Sequence, residues 1–132
     1  MSEQIGNAAN PVLVVLVEDE YLVRANALQA LVEAGFDVVE AADSDQAMAA
    51  LEADAGSVRV LFTDVQMPGG SMDGLALAHH TRQKWPWIAV AIASGNAAPI
   101  RAEVPEGCRL FAKPYALRDV VAHLQALTGS RH

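Results

Sequence analysis

The sequence predicts an α/β fold, a five-stranded parallel sheet covered by helices on both faces. Three observations carry this. Strand-like and helix-like segments alternate five times along the 132 residues, the order that repeated βαβ units produce. The strand-like runs are nearly continuous in Val, Ile, Leu and Ala, as in strands buried on both faces. The polar residues capable of chemistry stand at the ends of those runs.

The elements follow in order. Residues 1–10 are polar with small side chains and read as a disordered N-terminal tail, ended by Pro11. Val12 to Val17 is the first strand, followed at once by Glu18-Asp19-Glu20. Tyr21 to Ala34 places Leu22, Ala25, Leu28, Leu31 and Val32 at helical spacing, with Gly35 suited to the C-terminal cap. Phe36 to Ala41 is a short strand. Asp43 caps the next helix, with Gln46 in the capping-box position, and that helix runs to about Asp54 before Gly56. Val58 to Thr63 is the third strand and Asp64 closes it. Asp73 to Trp85 is helical and stops before Pro86. Ile88 to Ala93 is the fourth strand, closed by Ser94-Gly95. Pro99 and Pro105 allow only a short or broken helix between Asn96 and Gly107. Arg109 to Ala112 is the fifth strand, followed by Lys113-Pro114. Leu117, Val120, Val121, Leu124 and Leu127 form the apolar stripe of the last helix.

Composition narrows the function. The apolar fraction of 52% suffices for a core. The net charge of −7, with nine scattered basic residues, argues against a nucleic-acid surface. No apolar run is long enough to span a bilayer, and no basic residue precedes the first one as a secretory signal would require. Cys108 is the single cysteine, so no internal disulfide can form, in keeping with a cytoplasmic protein.

Periodicity does not set the order of the strands. Ligands of open α/β sheets bind beyond the carboxyl ends of strands, where the order reverses. An order of 2-1-3-4-5 would bring Glu18, Asp19, Asp64, Ser94 and Lys113 to one rim. Carboxylates so crowded repel one another unless a cation sits among them, and oxygen donors select a hard ion such as Mg²⁺. Lys113 adds a positive charge suited to a phosphoryl group, Ser94 a hydroxyl, and Asp64 a carboxylate placed to attack phosphorus. Taken singly, each residue has a plainer reading: Asp19 as a helix cap, Asp64 as the start of a loop, Ser94-Gly95 as a turn, Lys113 as a surface lysine. Their joint placement favours the site. The histidines show no metal-ligand spacing and read as solvated, Trp85 and Trp87 as packing at a helix end, and Cys108 as a buried spacer.

The segments "VLVVLVEDE", "LFTDVQMPGGSMDG", "IAVAIASG" and "LFAKPY" resemble the receiver domain of two-component response regulators over roughly residues 11–127. The resemblance implies a flavodoxin-like fold over residues 11–129 with no output domain. It makes Asp64 the phosphoacceptor and Glu18, Asp19, Asp64 and the Gln66 backbone carbonyl the Mg²⁺ ligands. It makes Ser94 and Lys113 the phosphoryl-contacting pair and the Lys113–Pro114 bond cis. Its partner would be a histidine kinase or a histidine phosphotransferase, with a further protein partner downstream and neither nucleic acid nor membrane involved. The chain would catalyse only its own phosphorylation and dephosphorylation.

Several residues depart from the family pattern. Glu18 stands where Asp is usual. "MPGGSMDG" is longer than the usual loop and reads as a flexible rim. Leu110 replaces the switch aromatic, with Phe111 on the opposite face of the strand. The helix after Ser94 is weak. A haloacid-dehalogenase-type phosphatase would need an acid at position 66, which is Gln66. A dinucleotide site would need a Gly-rich turn after the first strand, which "VEDEYLVR" does not supply. A receiver that binds partners without phosphorylation is the remaining alternative, favoured by Leu110 and opposed by Asp64 and Lys113.

Overall fold

The computed structural model describes residues 11–129; the tail expected at residues 1–10, and His132, lie outside them. The elements are β1 (Leu13–Val17), α1 (Tyr21–Glu33), β2 (Asp37–Ala41), α2 (Ser44–Asp54), β3 (Val58–Asp64), α3 (Gly74–Lys84), β4 (Ala89–Ser94), α4 (Ala97–Ile100), β5 (Arg109–Ala112) and α5 (Leu117–Thr128). A 3₁₀ turn at Arg101–Glu103 continues α4. The strands pair in parallel in the order β2-β1-β3-β4-β5, the order that convergence of the polar residues requires.

Alternation along each central strand divides the core in two. Val14 and Leu16 of β1, Val60 and Phe62 of β3, and Ala91 and Ala93 of β4 pack with Ala27 and Leu31 of α1 and Val120 and Leu124 of α5. Val15, Val17, Leu61, Val90 and Ile92 face the other way, onto Ala47 and Leu51 of α2 and Leu77 and Ala78 of α3. Such strands have no polar side, which is why their sequence runs are continuous.

The helix ends show why the chain turns where it does. After α1, Gly35 takes a φ of 97°, and the N–H groups of Gly35 and Phe36 donate to the carbonyls of Val32 and Leu31 at 3.0 Å. This is a Schellman closure, and only glycine adopts that φ without strain. Asp43 caps α2 by accepting from Gln46 N at 2.9 Å, while the Gln46 side chain accepts from Ala42 N at 2.8 Å. The capping box forms with its return bond one residue earlier than the standard pattern. Pro99 sits inside α4, which is only four residues long.

Two helical stripes differ from expectation. Leu22 and Val32 are exposed, and Ala27 with Leu31 forms the buried face of α1. Apolar residues surround α1 on most sides, so spacing alone does not choose a face. On α5, Val120 and Leu124 are buried but Leu127 is exposed.

Candidate functional site

Three side chains reach the carboxyl rim by the same rule. Leu16, Phe62 and Phe111 are buried on the α1/α5 face of the sheet. Two residues further along each segment stand Glu18, Asp64 and Lys113, in phase with them. β1 and β3 pair Val17 with Thr63, so Glu18 follows beside Asp64. β3 and β4 pair Asp64 with Ala93, which places Ser94 just beyond. Ser94 in turn pairs with Ala112, and its carbonyl accepts from Lys113 N at 2.9 Å.

The resulting geometry is tight. Lys113 Nζ lies 2.8 Å from Asp64 Oδ1, and the Asp64 side chain is 8% exposed. One carboxylate oxygen each from Glu18, Asp19 and Asp64 lie within 4.8 Å of one another. Glu18 is buried, and its Oε2 accepts from Glu20 N at 3.0 Å; Asp19 is exposed. That contact also qualifies the plain capping reading: the N-cap of α1 is Glu20, whose own side chain makes no capping bond.

The charges perturb one another. Burial first, then the Asp64 charge and a hydrogen bond with Asp19, together push the Glu18 carboxyl up to about 7 against the opposing pull of the bond from Glu20 N and of Lys113. Burial alone would lower the Lys113 ammonium, but its hydrogen bond with Asp64 and the charges of Asp64 and Glu18 outweigh burial and hold it above the ordinary lysine range. Tyr115, next to Pro114, is raised by burial against the pull of Lys113, with Glu18 and Asp64 adding to the rise.

The loop after Asp64 supplies the remaining support. Thr63 Oγ1, buried, donates to the Asp64 carbonyl at 2.9 Å. Gly74 N donates to the Val65 carbonyl at 2.8 Å, and a side chain at Gly74 would overlap the Asp64 carbonyl. Asp73 caps α3 by accepting from Ala76 N at 2.8 Å. The lengthened loop, expected to be a flexible rim, makes a contact with α2. The buried Ser44 hydroxyl of α2 accepts from Met72 N at 3.1 Å, and Gly70 lies so close to Ser44 that a side chain there would overlap it. Gly70 and Gly74 are functional-site residues that the sequence reading missed. The signal available was the pairing of glycine with a lengthened loop, which requires close backbone approach.

The other named residues fall as follows. The Ser94 hydroxyl is buried and accepts from Asn96 N at 3.0 Å. Gln66 is exposed, two positions past Asp64. The Lys113–Pro114 bond is cis. Leu110 packs on the α2/α3 side and Phe111 on the α1/α5 side, where Phe111, Phe62 and Tyr115 form an aromatic cluster with ring centroids 6.0–6.4 Å apart. His79 is exposed as expected, whereas His80 and His123 are partly buried. His79 Nε2 bonds the Glu103 carbonyl at 2.7 Å, His80 packs edge-on against Trp85, and His123 lies between Arg109 and Phe111. Cys108 is half-buried, and burial raises its thiol against the pull of Arg82.

A parallel 2-1-3-4-5 sheet thus carries an acidic trio and a lysine-paired aspartate on its carboxyl rim. Sequence comparison adds the family: the model of the response regulator receiver domain matches residues 14–125, and the chain belongs to that family. It is 30% identical over 128 residues to the sensor kinase CckA of Brucella abortus (strain 2308), covering 95% of this chain and 13% of that protein. It is 31% identical over 120 residues to the probable transcriptional regulatory protein TcrX of Mycobacterium tuberculosis, covering 89% of this chain and 50% of that protein. The chain thus spans half or less of these curated relatives. Among solved structures it is similar to the receiver domain of the hybrid histidine kinase CckA, at 30% identity and a TM-score of 0.74, covering 87% of this chain and 97% of that one. Receiver domains bind Mg²⁺ in an acidic pocket, and the donors gathered here are of that kind. Among the described residues no helix is long and apolar enough to cross a membrane.

Proposed function

We propose that the chain, through its receiver domain over residues 11–129, accepts a phosphoryl group on Asp64 from a histidine kinase or histidine phosphotransferase. The observation that carries this is the Lys113–Asp64 contact of 2.8 Å within an acidic cluster. Three carboxylates face one ammonium there, an excess of negative charge that a hard divalent cation relieves. Glu18, Asp19, Asp64 and the backbone carbonyl of Gln66 would hold Mg²⁺, which supplies neutralisation of charge on the phosphoryl oxygens.

The rest of the chemistry belongs to the side chains. An Asp64 carboxylate oxygen forms the new P–O bond as the P–N bond to the donor histidine breaks, and the electron pair of that bond returns to the imidazole nitrogen. Lys113, in contact with Asp64 before transfer, pairs with the phosphoryl oxygens afterwards. The Ser94 hydroxyl, whose oxygen accepts from Asn96 N, is free to donate its proton to the same group. Attack of water on phosphorus later releases inorganic phosphate and restores the Asp64 carboxylate. On this reading the chain catalyses only its own phosphorylation and dephosphorylation. It acts in the cytoplasm, signals through altered binding of a protein partner, and contacts neither nucleic acid nor membrane.

The partner would approach over a groove of about 490 Å³ lined by Glu20, Val23, Asn26, Lys113, Pro114, Tyr115 and Leu117. Lys113 is common to the groove and to the ion pair, so the groove opens beside the residue that contacts Asp64. The first turn of α1 exposes Tyr21 and Leu22 next to it.

Incubation with a small phosphodonor and Mg²⁺ tests the chemistry. The wild-type chain should take up a phosphoryl group and Asp64→Asn should not. Turnover of a phosphomonoester would point instead to a phosphatase, and absence of labelling by any donor to a partner-binding domain without phosphotransfer.

A further inference from the structure

Arg24 takes no part in the chemistry above, yet its guanidinium is bound to the acidic loop. Nη1 donates to the Glu18 backbone carbonyl at 2.8 Å, and Nε pairs with Glu40 Oε1 at 3.1 Å. The Arg24 side chain is 16% exposed, and its guanidinium carbon stands 5.7 Å from the centre of the Tyr21 ring. Glu40 belongs to the edge strand β2, opposite Leu16 in the register with β1. On the other side, Glu18 N donates to the Ala41 carbonyl at 3.0 Å. The Glu18 peptide is therefore held from both directions. β2 takes its N–H, and Arg24, anchored on β2 through Glu40, takes its carbonyl.

This matters because β1 has ended at Val17 and α1 begins only at Tyr21. Glu18 and Asp19 lie in the gap beyond the last paired residue of β1, where Glu18 keeps the strand's phase only as far as the bonds to its own main chain hold it. A planar guanidinium with donors in a fixed fork can bond a carbonyl and a carboxylate at once, and a lysine ammonium lacks that geometry.

We infer that Arg24 is a positioning residue: it fixes the Glu18 main chain so that the Glu18 and Asp19 carboxylates face Asp64, and thereby sets the affinity of the acidic pocket for a divalent cation. The inference rests on the functional reading above. It is separable from an electrostatic role, because the two predict opposite signs. A positive charge beside three carboxylates opposes cation binding, so on electrostatics alone Arg24→Gln would bind Mg²⁺ more tightly and Arg24→Lys would match the wild type. Positioning predicts that both bind more weakly, since neither holds the carbonyl and Glu40 together.

The experiment is a calorimetric Mg²⁺ titration of the full chain and of Arg24→Lys, Arg24→Gln and Glu40→Gln. A group orienting a ligand typically contributes 10–100-fold in affinity. The expected result is a loss of about tenfold for both Arg24 variants and of about threefold for Glu40→Gln, which leaves Arg24 in place but loosens its anchor. Glu40 is partly exposed, so this variant should fold, and it reports on the anchor beside the Arg24 pair, since removal of its charge also weakens cation binding somewhat. Wild-type binding with unchanged or tighter binding in the variants overturns the positioning role alone. A wild-type chain that takes no Mg²⁺ overturns the functional reading and this inference with it.

Discussion

Gly74 makes the clearest single-residue case. Its α-carbon rests against the Asp64 carbonyl, where a methyl group has no room. Gly74→Ala must therefore displace α3 or the end of β3. Overpacking of this kind costs about 1–3 kcal/mol. A urea midpoint lowered accordingly, with slower labelling at Asp64, is the expected outcome; an unchanged midpoint would contradict the close approach. His123 gives the pH dependence. Burial, and then the Arg109 charge, hold its imidazole below the ordinary value of 6.5. The folded chain keeps it neutral where the unfolded chain protonates it. Its contribution to stability is therefore lost as the pH falls through 6.5 towards the lowered folded value. His123→Gln should lose less stability than the wild type on acidification through that window, as read by urea midpoints on either side of it. Equal losses would contradict the lowered imidazole. At this scale Asp64, Glu18 and Lys113 were legible in the sequence, because a charged residue ending an apolar strand is visible without coordinates. Gly74 and Arg24 were not, since their roles consist of contacts with backbone atoms of other segments.

At the scale of elements, the lengthened loop makes a contact, and the first helix exposes a residue, that their sequences do not foretell. "PGGSM" reads as flexible because glycine and serine fit turns, and the same small residues let the loop lie against Ser44. Ser44→Ala removes the acceptor of Met72 N and leaves that donor partly buried, at a cost of about 1–3 kcal/mol. Faster amide exchange confined to the loop is the expected signature, and unaltered exchange there would show that the contact does not hold it. The first turn of α1 tests docking apart from chemistry. Leu22→Glu should slow phosphotransfer from a histidine-bearing partner roughly tenfold, the weight of a contact worth about 1.4 kcal/mol. Labelling by a small phosphodonor should remain as in the wild type. Loss of both activities would place Leu22 in the fold and not in the docking surface. The sequence put Leu22 on the buried face of α1, because that helix is apolar on most sides and periodicity cannot then choose one. The short α4 was legible, since Pro99 and Pro105 break any longer helix.

For the whole molecule, the order of the elements and their type follow from the alternation of buried runs and helical stripes. The strand order does not, because periodicity carries no information about lateral neighbours. It became legible only through chemistry: carboxylates, hydroxyl and ammonium meet when β1 lies between β2 and β3. The central claim is that this meeting forms one phosphoryl pocket around Asp64, and fluorine NMR with beryllofluoride, a stable mimic of a phosphoryl group, tests it most directly. With Mg²⁺ present, the wild-type chain should give resolved resonances of bound fluoride, lost on chelation of the metal and missing in Asp64→Asn. Bound resonances that persist in Asp64→Asn, or none in the wild type at saturating Mg²⁺, would contradict it.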